Sequence, residues 1–327
     1  DTFGFPLDLT ELLAKENKLK VDVQGFNNQM ENQKKRARKS GKFANDDDTI
    51  PWNILSNINH SLFKGYNQSE IKSSIVKYRK VDDIYQYVLN ETPFYPESGG
   101  QIGDIGKIYN NSFELSIIDT IKQNDEIIHL SKDFNKLLKD SVSVISEIDQ
   151  DRRKKIRANH TATHLLHAAL KSVLGDHVQQ AGSLVSHDKL RFDLTHYNKI
   201  SDKELTEIEK IVNKKIRENI VINISIQKFE EAKKSGAVAI FNEKYEEDVR
   251  VVNVEGFSKE LCGGTHVDST GEISLFKILS ESSLSTGVRR IEAITGEAAF
   301  DYFLNLSQLA SELQLKMKCP QSEILEK

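Results

Sequence analysis

The sequence predicts an α+β fold with a helical N-terminal segment, a β-rich barrel-like subdomain, an α/β core and a C-terminal helix. Residues 78–148 alternate β-branched and aromatic runs with turns, which is typical of consecutive strands. Residues 151–173 and 201–216 repeat apolar side chains with the period of a helix, and Ser201 with Glu204 forms a capping-box signature. Residues 299–317 space apolar side chains by four and three, as in a helix that packs along another helix.

Changes in composition divide the chain into four predicted segments. These are residues 1–50, a helical region and linker; 51–150, the β-rich subdomain with the glycine-rich stretch YPESGGQIGDIG; 151–280, the α+β core; and 281–327, the start of a C-terminal region. Within the first segment we expect a short helix at 8–17 and a basic helix at 27–39. The strands VINISIQ, DVRVVNV and EISLFKIL are expected around the core's glycine turn.

Cysteine usage and hydropathy limit the cellular setting. Two cysteines in 327 residues are too few for a secreted disulfide framework. No apolar run is long enough to span a bilayer, and no signal peptide opens the chain. We therefore expect a soluble, cytoplasmic protein with no membrane partner. Because the chain begins at Asp1 within an ordinary folded pattern, we also expect it to be a piece of a longer polypeptide.

Charge is nearly balanced overall but clustered locally. The net charge of −4 gives no general basic character of the kind that marks many nucleic-acid-binding proteins. KKRARKSGK and DRRKKIR are nevertheless dense basic runs, and the second contains Arg152 and Arg153. Such a run is either a solvated helix face or a track for a phosphate backbone, and charge alone does not separate these two interpretations.

The helix predicted at 151–173 has two distinct faces. Its apolar stripe consists of Ala162, Leu165, Leu166, Ala169 and Val173. Three histidines, His160, His164 and His167, lie on the opposite side, since four residues advance a helix by about one turn. Thr163 lies beside this histidine face. The histidines are therefore not part of the helix's apolar stripe.

The hexapeptide LCGGTH supplies two further potential metal ligands. Cys262 and His266 flank two glycines, which relax the backbone between them. Two imidazoles on one helical turn, together with a thiolate and an imidazole from a glycine turn, would complete a four-ligand shell for zinc. Nitrogen and sulfur donors favour Zn²⁺ over magnesium or calcium. A lone H-x-x-x-H also arises by accident, and His167 competes for a place in the set.

Several motifs occur in an order that resembles the alanyl-tRNA synthetase family. They are DTFGFPLDLT, YPESGGQIGDIG, HTATHLLHAAL, HVQQAGSLV, LRFDLTH, ELCGGTHV and GVRRIEAITG. The resemblance implies the end of a tRNA-recognition region at the N-terminus, an editing domain over about 50–280, and the start of an oligomerisation region beyond it. It also implies that the ligation site, which uses ATP and Mg²⁺, belongs to the full-length enzyme and lies outside this sequence.

This resemblance implies hydrolytic editing, the zinc-dependent removal of serine or glycine wrongly attached to tRNA(Ala). One Zn²⁺ would be held by His160, His164, Cys262 and His266. Thr163 would sense serine, although its hydroxyl could instead bond the carbonyl of Asn159. Gln180 would help to position water, with Gln179 as the neighbouring alternative.

The resemblance also assigns RNA contacts and leaves other function classes open. Arg191 and Arg289 are candidates for the phosphates or terminal adenosine of the tRNA acceptor end, with structural ion pairs as the alternative. Four protein ligands would close a tetrahedral zinc, so the ion either expands its shell to activate water or mainly organises the site. A free-standing aminoacyl-tRNA deacylase and a non-catalytic tRNA-binding module with structural zinc are the competing functions.

Overall fold

The computed structural model describes residues 50–58, 61–134, 142–239 and 247–320, together with positions 14, 19, 21–23, 25, 26 and 324. Both helices that the sequence predicts in the first 50 residues lie essentially outside this described part. The described chain is mixed α and β, with a barrel followed by an α+β core and a C-terminal helix. This agrees with the α+β class, the barrel-like subdomain and the C-terminal helix of the predicted fold, whereas the helical N-terminal segment lies outside the described residues and the segment boundaries remain predictions.

The β-rich region forms a closed barrel. Its six strands and three short additional strands are, in chain order, β1 (Asn53–Ile54), β2 (Leu62–Phe63), β3 (Glu70–Val81), β4 (Ile84–Leu89), β5 (Glu91–Thr92), β6 (Gly106–Tyr109), β7 (Glu114–Gln123), β8 (Glu126–Ser131) and β9 (Val142–Ile148). The sheet runs β3-β4-β8-β7-β6-β9 and returns to β3, so six strands close antiparallel within the described ranges. The first barrel strand begins at Glu70, earlier than the predicted start at 78.

Side-chain alternation explains why these strands close. Fully buried residues from different strands, including Ile75, Tyr87, Ile108 and Leu115, form the barrel's apolar interior. The β7–β8 hairpin turns through two residues, Asn124 and Asp125, that both have positive φ (49° and 62°). Asn and Asp tolerate this left-handed conformation, which a tight two-residue hairpin requires.

The core begins with a long helix and is built from two further sheets. Its elements are α1 (Gln150–Leu174), β10 (Gln180–Val185), β11 (Leu190–Thr195), α2 (Asp202–Arg217), β12 (Ile222–Lys228), α3 (Phe229–Lys234), β13 (Asp248–Val254), β14 (Ser258–Leu261), β15 (Phe276–Ser285) and β16 (Val288–Thr295). The sheets run β10-β11-β16-β15 and β12-β13-β14. As predicted, Ser201 caps α2 in a capping box with Glu204.

One predicted strand is only half correct. EISLFKIL was expected to be extended throughout, but Thr270–Ile273 forms a 3₁₀ helix and β15 starts at Phe276. A capping box between Ser269 and Glu272 stabilises that turn, and local side-chain bonds of this kind compete with strand pairing. The strand prediction therefore missed a local capping signal.

Helix α1 is buried on both sides. Its apolar stripe packs into the core with Phe192 and Phe276, as predicted. The histidine face points away from that stripe but is not solvated, because His160, His164 and His167 are each only 4–5% exposed. The segment around β14 covers this face, since Glu260, Cys262 and His266 all contact it.

A glycine-rich loop of the barrel docks on the core. Gln101 forms a parallel bridge with Val185 of β10, and the backbone of Ile102 donates to the carbonyl of Val185 (3.1 Å). Nearby, Arg153 of α1 forms a buried ion pair with Asp104 and also donates to the carbonyls of Gly65 and Pro93. These contacts fix the barrel against the start of α1.

The C-terminal helix α4 (Gly296–Met317) confirms the predicted helical period. Ala299 is buried, whereas Phe303, Leu306 and Leu313 of the predicted seam are 38–44% exposed. Among the described residues, no helix is both long and apolar enough to cross a membrane.

Candidate metal centre

Two separate elements bring four potential metal ligands together. Helix α1 presents His160 and His164 one turn apart, and the loop after β14 presents Cys262 and His266. One donor atom from each residue lies within 4.8 Å of the donor atoms of the others. The sequence prediction of this set is therefore matched by the geometry. His167, the predicted competitor, is not in the cluster.

The donor distances suit a small tetrahedral ion. Sγ of Cys262 lies 3.4 Å from Nε2 of His160 and 3.3 Å from Nε2 of His266. Typical Zn–S and Zn–N bond lengths at the tetrahedral angle separate sulfur and nitrogen by roughly 3.6 Å. The separations of the Cys262 sulfur from these two imidazole nitrogens are therefore within a few tenths of an ångström of those expected around zinc, and the four donor atoms together lie within 4.8 Å of one another.

The imidazoles are held in the form that binds metal. Burial, reinforced by neighbouring histidines and Arg250, lowers the pKa of His160 and His266 well below the usual histidine value. Burial also lowers the pKa of His164. All three rings are therefore neutral near pH 7, and a neutral imidazole has the lone pair that a metal requires.

The loop that contains Cys262 is held by its backbone carbonyls. One guanidinium nitrogen of Arg250 donates to the carbonyls of both Cys262 and Gly264, each at 2.8 Å. The hydroxyl of Tyr66 donates to the carbonyl of Gly263 (2.7 Å), and the Arg250 guanidinium stacks 4.3 Å from the Tyr66 ring. Arg157 donates to the carbonyl of His266. These bonds fix the backbone from which the Cys262 thiol and the His266 imidazole project.

Each ligand histidine has a second contact behind it. Nδ1 of His160 lies 2.8 Å from Oε1 of Gln101, and Nδ1 of His266 lies 3.0 Å from the hydroxyl of Thr161. Nδ1 of His164 lies 3.7 Å from a carboxylate oxygen of Glu260, which is beyond hydrogen-bond distance, and it has no hydrogen-bond partner among the described residues. Such partners usually fix the ring orientation of metal-binding histidines.

Glu260 joins the metal ligands to His167. Its other carboxylate oxygen lies 3.0 Å from Nδ1 of His167, while Nε2 of His167 is buried with no hydrogen-bond partner among the described residues. Burial alone would raise the pKa of Glu260, but the neighbouring His164 and His167 lower it. His167, the predicted competing ligand, therefore lies behind the four-residue cluster, on the far side of the Glu260 carboxylate from His164.

Thr163 is buried on α1, beside the helical turn that carries His160 and His164. Its side-chain hydroxyl donates to the carbonyl of Asn159 (2.8 Å), the local alternative that the sequence left open. Because that bond uses the hydroxyl proton, the oxygen retains only its capacity to accept.

Of the two adjacent glutamines, Gln180 is half-buried and Gln179 is exposed. Both line a cavity of about 90 Å³ whose wall includes His167 and Glu260. The Gln180 amide donates to the hydroxyl of Ser183 (3.1 Å). Gln180 therefore shares a cavity wall with Glu260, and no contact among the described residues joins it directly to any of the four potential metal ligands.

The basic run at the start of α1 separates into buried and accessible residues. Arg153 is only 6% exposed, and its guanidinium donates hydrogen bonds to the Asp104 carboxylate and to the carbonyls of Gly65 and Pro93. This argues against the predicted phosphate contact. The sequence pattern could not reveal this, because the partners come from the barrel. Arg152 is half-buried and donates to the carbonyl of Gly103 (2.8 Å).

The other two predicted RNA-contacting arginines lie on the four-stranded sheet. Arg191 on β11 has its Nε 3.7 Å from a carboxylate oxygen of Asp193. Arg289 on β16 pairs with Glu281 at 2.5 Å, which is the structural ion pair that the sequence left open. No contact among the described residues joins either arginine to the four-ligand cluster.

Sequence reasoning missed the residues that surround the ligands. Gln101 lies within the glycine-rich stretch but was not singled out, and Glu260 precedes the LCGGTH hexapeptide by one residue. Their proximity to known motifs was the available signal. Arg250 and Tyr66 carry no local signal, since only the tertiary fold brings them to the loop.

Two family profiles match the chain. The family described as tRNA synthetases class II (A) matches residues 1–152, which include the barrel. The family described as threonyl and alanyl tRNA synthetase second additional domain matches residues 249–292, which include Cys262 and His266. The first match thus covers the barrel and the second covers the loop with Cys262 and His266, whereas His160 and His164 lie between the two matched ranges.

Curated relatives define the family further. The chain is 49% identical over 305 residues to the alanine–tRNA ligase of Cytophaga hutchinsonii, covering 91% of this chain and 34% of that protein. It is 43% identical over 330 residues to the alanine–tRNA ligase of Fusobacterium nucleatum, covering 100% of this chain and 38% of that protein. The chain belongs to the alanyl-tRNA synthetase family, and it spans little more than a third of the length of these relatives.

Proposed function

We propose that this chain carries the zinc-dependent editing activity of an alanine–tRNA ligase, the hydrolysis of Ser-tRNA(Ala) and Gly-tRNA(Ala). The single observation that supports this most strongly is the convergence of His160, His164, Cys262 and His266 in a chain of this family. Two of these ligands fall within the match to the second additional domain.

The chemistry of alanine selection explains why such an activity would be needed. A pocket that admits alanine cannot sterically expel the smaller glycine. One small added group, such as the serine hydroxyl, changes binding by only about 1–3 kcal/mol. A second site that hydrolyses the wrong ester supplies the missing discrimination, because it can recognise the serine hydroxyl directly.

Zinc, when bound, would supply positive charge to stabilise the developing oxyanion or to lower the pKa of water. The residues of this chain hold the three histidine ligands neutral and orient the loop that contains Cys262. We assign to Gln180 the orientation of the attacking water. Its position in a cavity with Glu260 and His167 supports this role, since Glu260 also contacts His164.

We assign recognition of serine to Thr163. Its hydroxyl proton is directed to the carbonyl of Asn159, so the serine hydroxyl would donate to the free lone pairs of Thr163 Oγ1. Alanine and glycine offer no such donor. The back-bond within the helix thereby orients the acceptor rather than removing it.

The tRNA(Ala) acceptor end is the proposed partner, and Arg152, Arg191 and Arg289 are the proposed RNA contacts. Arg191 supports this best, because its side chain is 30% exposed and its Nε lies as far as 3.7 Å from the carboxylate of Asp193. We also propose a cytoplasmic location. The full-length protein would contribute the ATP- and Mg²⁺-dependent ligation, and oligomerisation through the C-terminal region that begins at about residue 281.

Deacylation of purified aminoacyl-tRNAs tests this function. The chain should hydrolyse Ser-tRNA(Ala) and Gly-tRNA(Ala) faster than Ala-tRNA(Ala), and should form no Ala-tRNA from alanine and ATP. Cys262→Ala should lose both zinc and hydrolysis, whereas the matched control Cys319→Ala should keep them.

The competing functions predict other results. Full zinc occupancy and tRNA binding without hydrolysis would establish a non-catalytic module with structural zinc. Appreciable alanylation by this chain would contradict the assignment of editing alone. The length of the native open reading frame separates a synthetase from a free-standing deacylase.

A further inference from the structure

We propose that Gln101, contributed by the barrel's glycine-rich loop, is a positioning residue that fixes the tautomer and orientation of His160 and thereby sets the affinity for zinc. This inference rests on the proposed function only in taking the four-residue cluster as a metal site. Gln101 is fully buried, and it lies 59 positions from His160 in the chain. The barrel thus completes the metal centre without supplying a ligand.

The orientation of the Gln101 amide follows from its neighbours. The backbone N–H of Thr265 lies 2.9 Å from Oε1, and the Thr265 hydroxyl lies 3.2 Å from the same atom. A backbone N–H can only donate, so the atom facing it must be the carbonyl oxygen rather than the NH₂ group. Thr265 therefore excludes the flipped amide.

This orientation determines the protonation of His160. Since Oε1 only accepts, the Nδ1 atom of His160 at 2.8 Å must carry the ring proton. In a neutral imidazole the lone pair is then on Nε2, the atom that lies 3.4 Å from Sγ of Cys262. Gln101 therefore directs the metal-binding lone pair toward the other ligands.

The glycine-rich loop is built to hold Gln101 in this place. Gly100 has φ of +81°, and a Cβ there would lie 2.8 Å from the backbone carbonyl oxygen of Ser183. A Cβ on Gly103 would lie 2.1 Å from the carbonyl oxygen of Thr120. Only glycine permits both close approaches, one to core strand β10 and one to the barrel.

The amide nitrogen of Gln101 argues against a role for this side chain in packing alone. Nε2 of Gln101 is buried and has no hydrogen-bond partner among the described residues. A buried donor without a partner costs free energy, so an apolar side chain of the same shape would pack more favourably. The acceptor oxygen is what the site requires.

Three variants separate positioning from packing. Gln101→Met keeps the length of the side chain and removes the acceptor, so zinc affinity measured by chelator competition should fall about 10- to 100-fold. Gln101→Glu keeps the acceptor and should retain wild-type affinity or exceed it. The matched control is Gln86→Met, at a barrel glutamine that is 4% exposed and accepts from Arg79 instead; its zinc affinity should not change.

A spectroscopic readout makes the test independent of activity and of metal. In the metal-free wild-type protein, imidazole ¹⁵N shifts should show His160 protonated at Nδ1, and Gln101→Met should shift this tautomer balance. Protonation of wild-type His160 at Nε2 would overturn the proposal, even if Gln101→Met fails to fold. Equal zinc affinity in Gln101→Met and wild type would overturn it as well. If the wild-type protein does not hydrolyse Ser-tRNA(Ala), that result counts against the proposed function and not against this proposal. Neither zinc affinity nor the imidazole ¹⁵N shifts depend on hydrolysis.

Discussion

The backbone of Gly264 lies directly against the imidazole of His160. A Cβ at position 264 would be 2.0 Å from Cε1 and 2.5 Å from Nδ1 of that ring, far inside van der Waals contact. The neighbouring Gly263 is different, since a Cβ there would meet nothing within 4 Å. The two glycines of one hexapeptide therefore have separate roles.

Gly264→Ala should displace His160 and lower zinc affinity by at least about 10-fold, because the ring cannot keep its place between the loop and Gln101. Gly263→Ala is the matched control and should bind zinc as the wild type does. Chelator competition with each purified variant measures this. Unchanged affinity in Gly264→Ala would contradict the role of this close approach in fixing the His160 ring.

Arg153→Met should strongly destabilise the protein. The substitution leaves Asp104, which is 1% exposed, as a buried carboxylate without its cation, at a cost of roughly 3–5 kcal/mol. Lys154→Ala, the neighbouring control, removes only an exposed pair with Asp151 and should leave the unfolding midpoint unchanged. Equal midpoints for both variants would contradict a structural role for Arg153 and reopen its assignment to RNA binding.

His129 should make the barrel sensitive to acid. Burial lowers the pKa of His129 to about 4, and the ring is held neutral between the Tyr87 carbonyl and the Thr92 hydroxyl. Above about pH 6.5, His129 is unprotonated in both the folded and the unfolded protein. As the pH falls from 6.5 toward 4, His129 binds a proton in the unfolded chain but not in the folded protein. The free energy of unfolding therefore falls, by about 2.5 kcal/mol at pH 4.5.

His129→Gln should reduce this loss by that amount between pH 7 and pH 4.5. Urea unfolding followed by the fluorescence of Trp52 provides the measurement, since Trp52 is the single tryptophan of the sequence and packs on the barrel. An identical decline in the wild type and the variant would show that His129 does not titrate on unfolding.

Thr163→Val should change specificity rather than metal binding. The substitution keeps the shape and removes the acceptor for serine, so kcat/KM for Ser-tRNA(Ala) should fall about 10-fold or more. Hydrolysis of Gly-tRNA(Ala) and zinc content should change little. Equal losses on both substrates would mean that Thr163 supports the helix through its bond to Asn159 rather than recognising serine.

The ligand set could be predicted from the sequence because its determinants are local. His160 and His164 share a helical turn, and Cys262 and His266 share a glycine turn, so each pair is specified within five residues. The capping box at Ser201 and the period of α4 are local in the same sense.

The surroundings of the ligands could not be predicted because they depend on the tertiary fold. Gln101 reaches His160 only after the barrel closes and docks on β10, and Arg250 reaches the ligand loop from the adjacent strand β13. The predicted phosphate contact of Arg153 was wrong for the same reason. Its run of basic neighbours suggested a solvated or RNA-facing side chain, whereas its guanidinium is buried against Asp104 and the carbonyls of Gly65 and Pro93.

Zinc titration of the metal-free chain tests the central claim most directly. After chelation, hydrolysis of Ser-tRNA(Ala) should be lost, and it should return in proportion to added Zn²⁺ and level off at one equivalent. The same titration of Cys262→Ala should restore none of it. Full hydrolysis by the metal-free protein, or none at one bound equivalent while tRNA still binds, would contradict a zinc-dependent editing site.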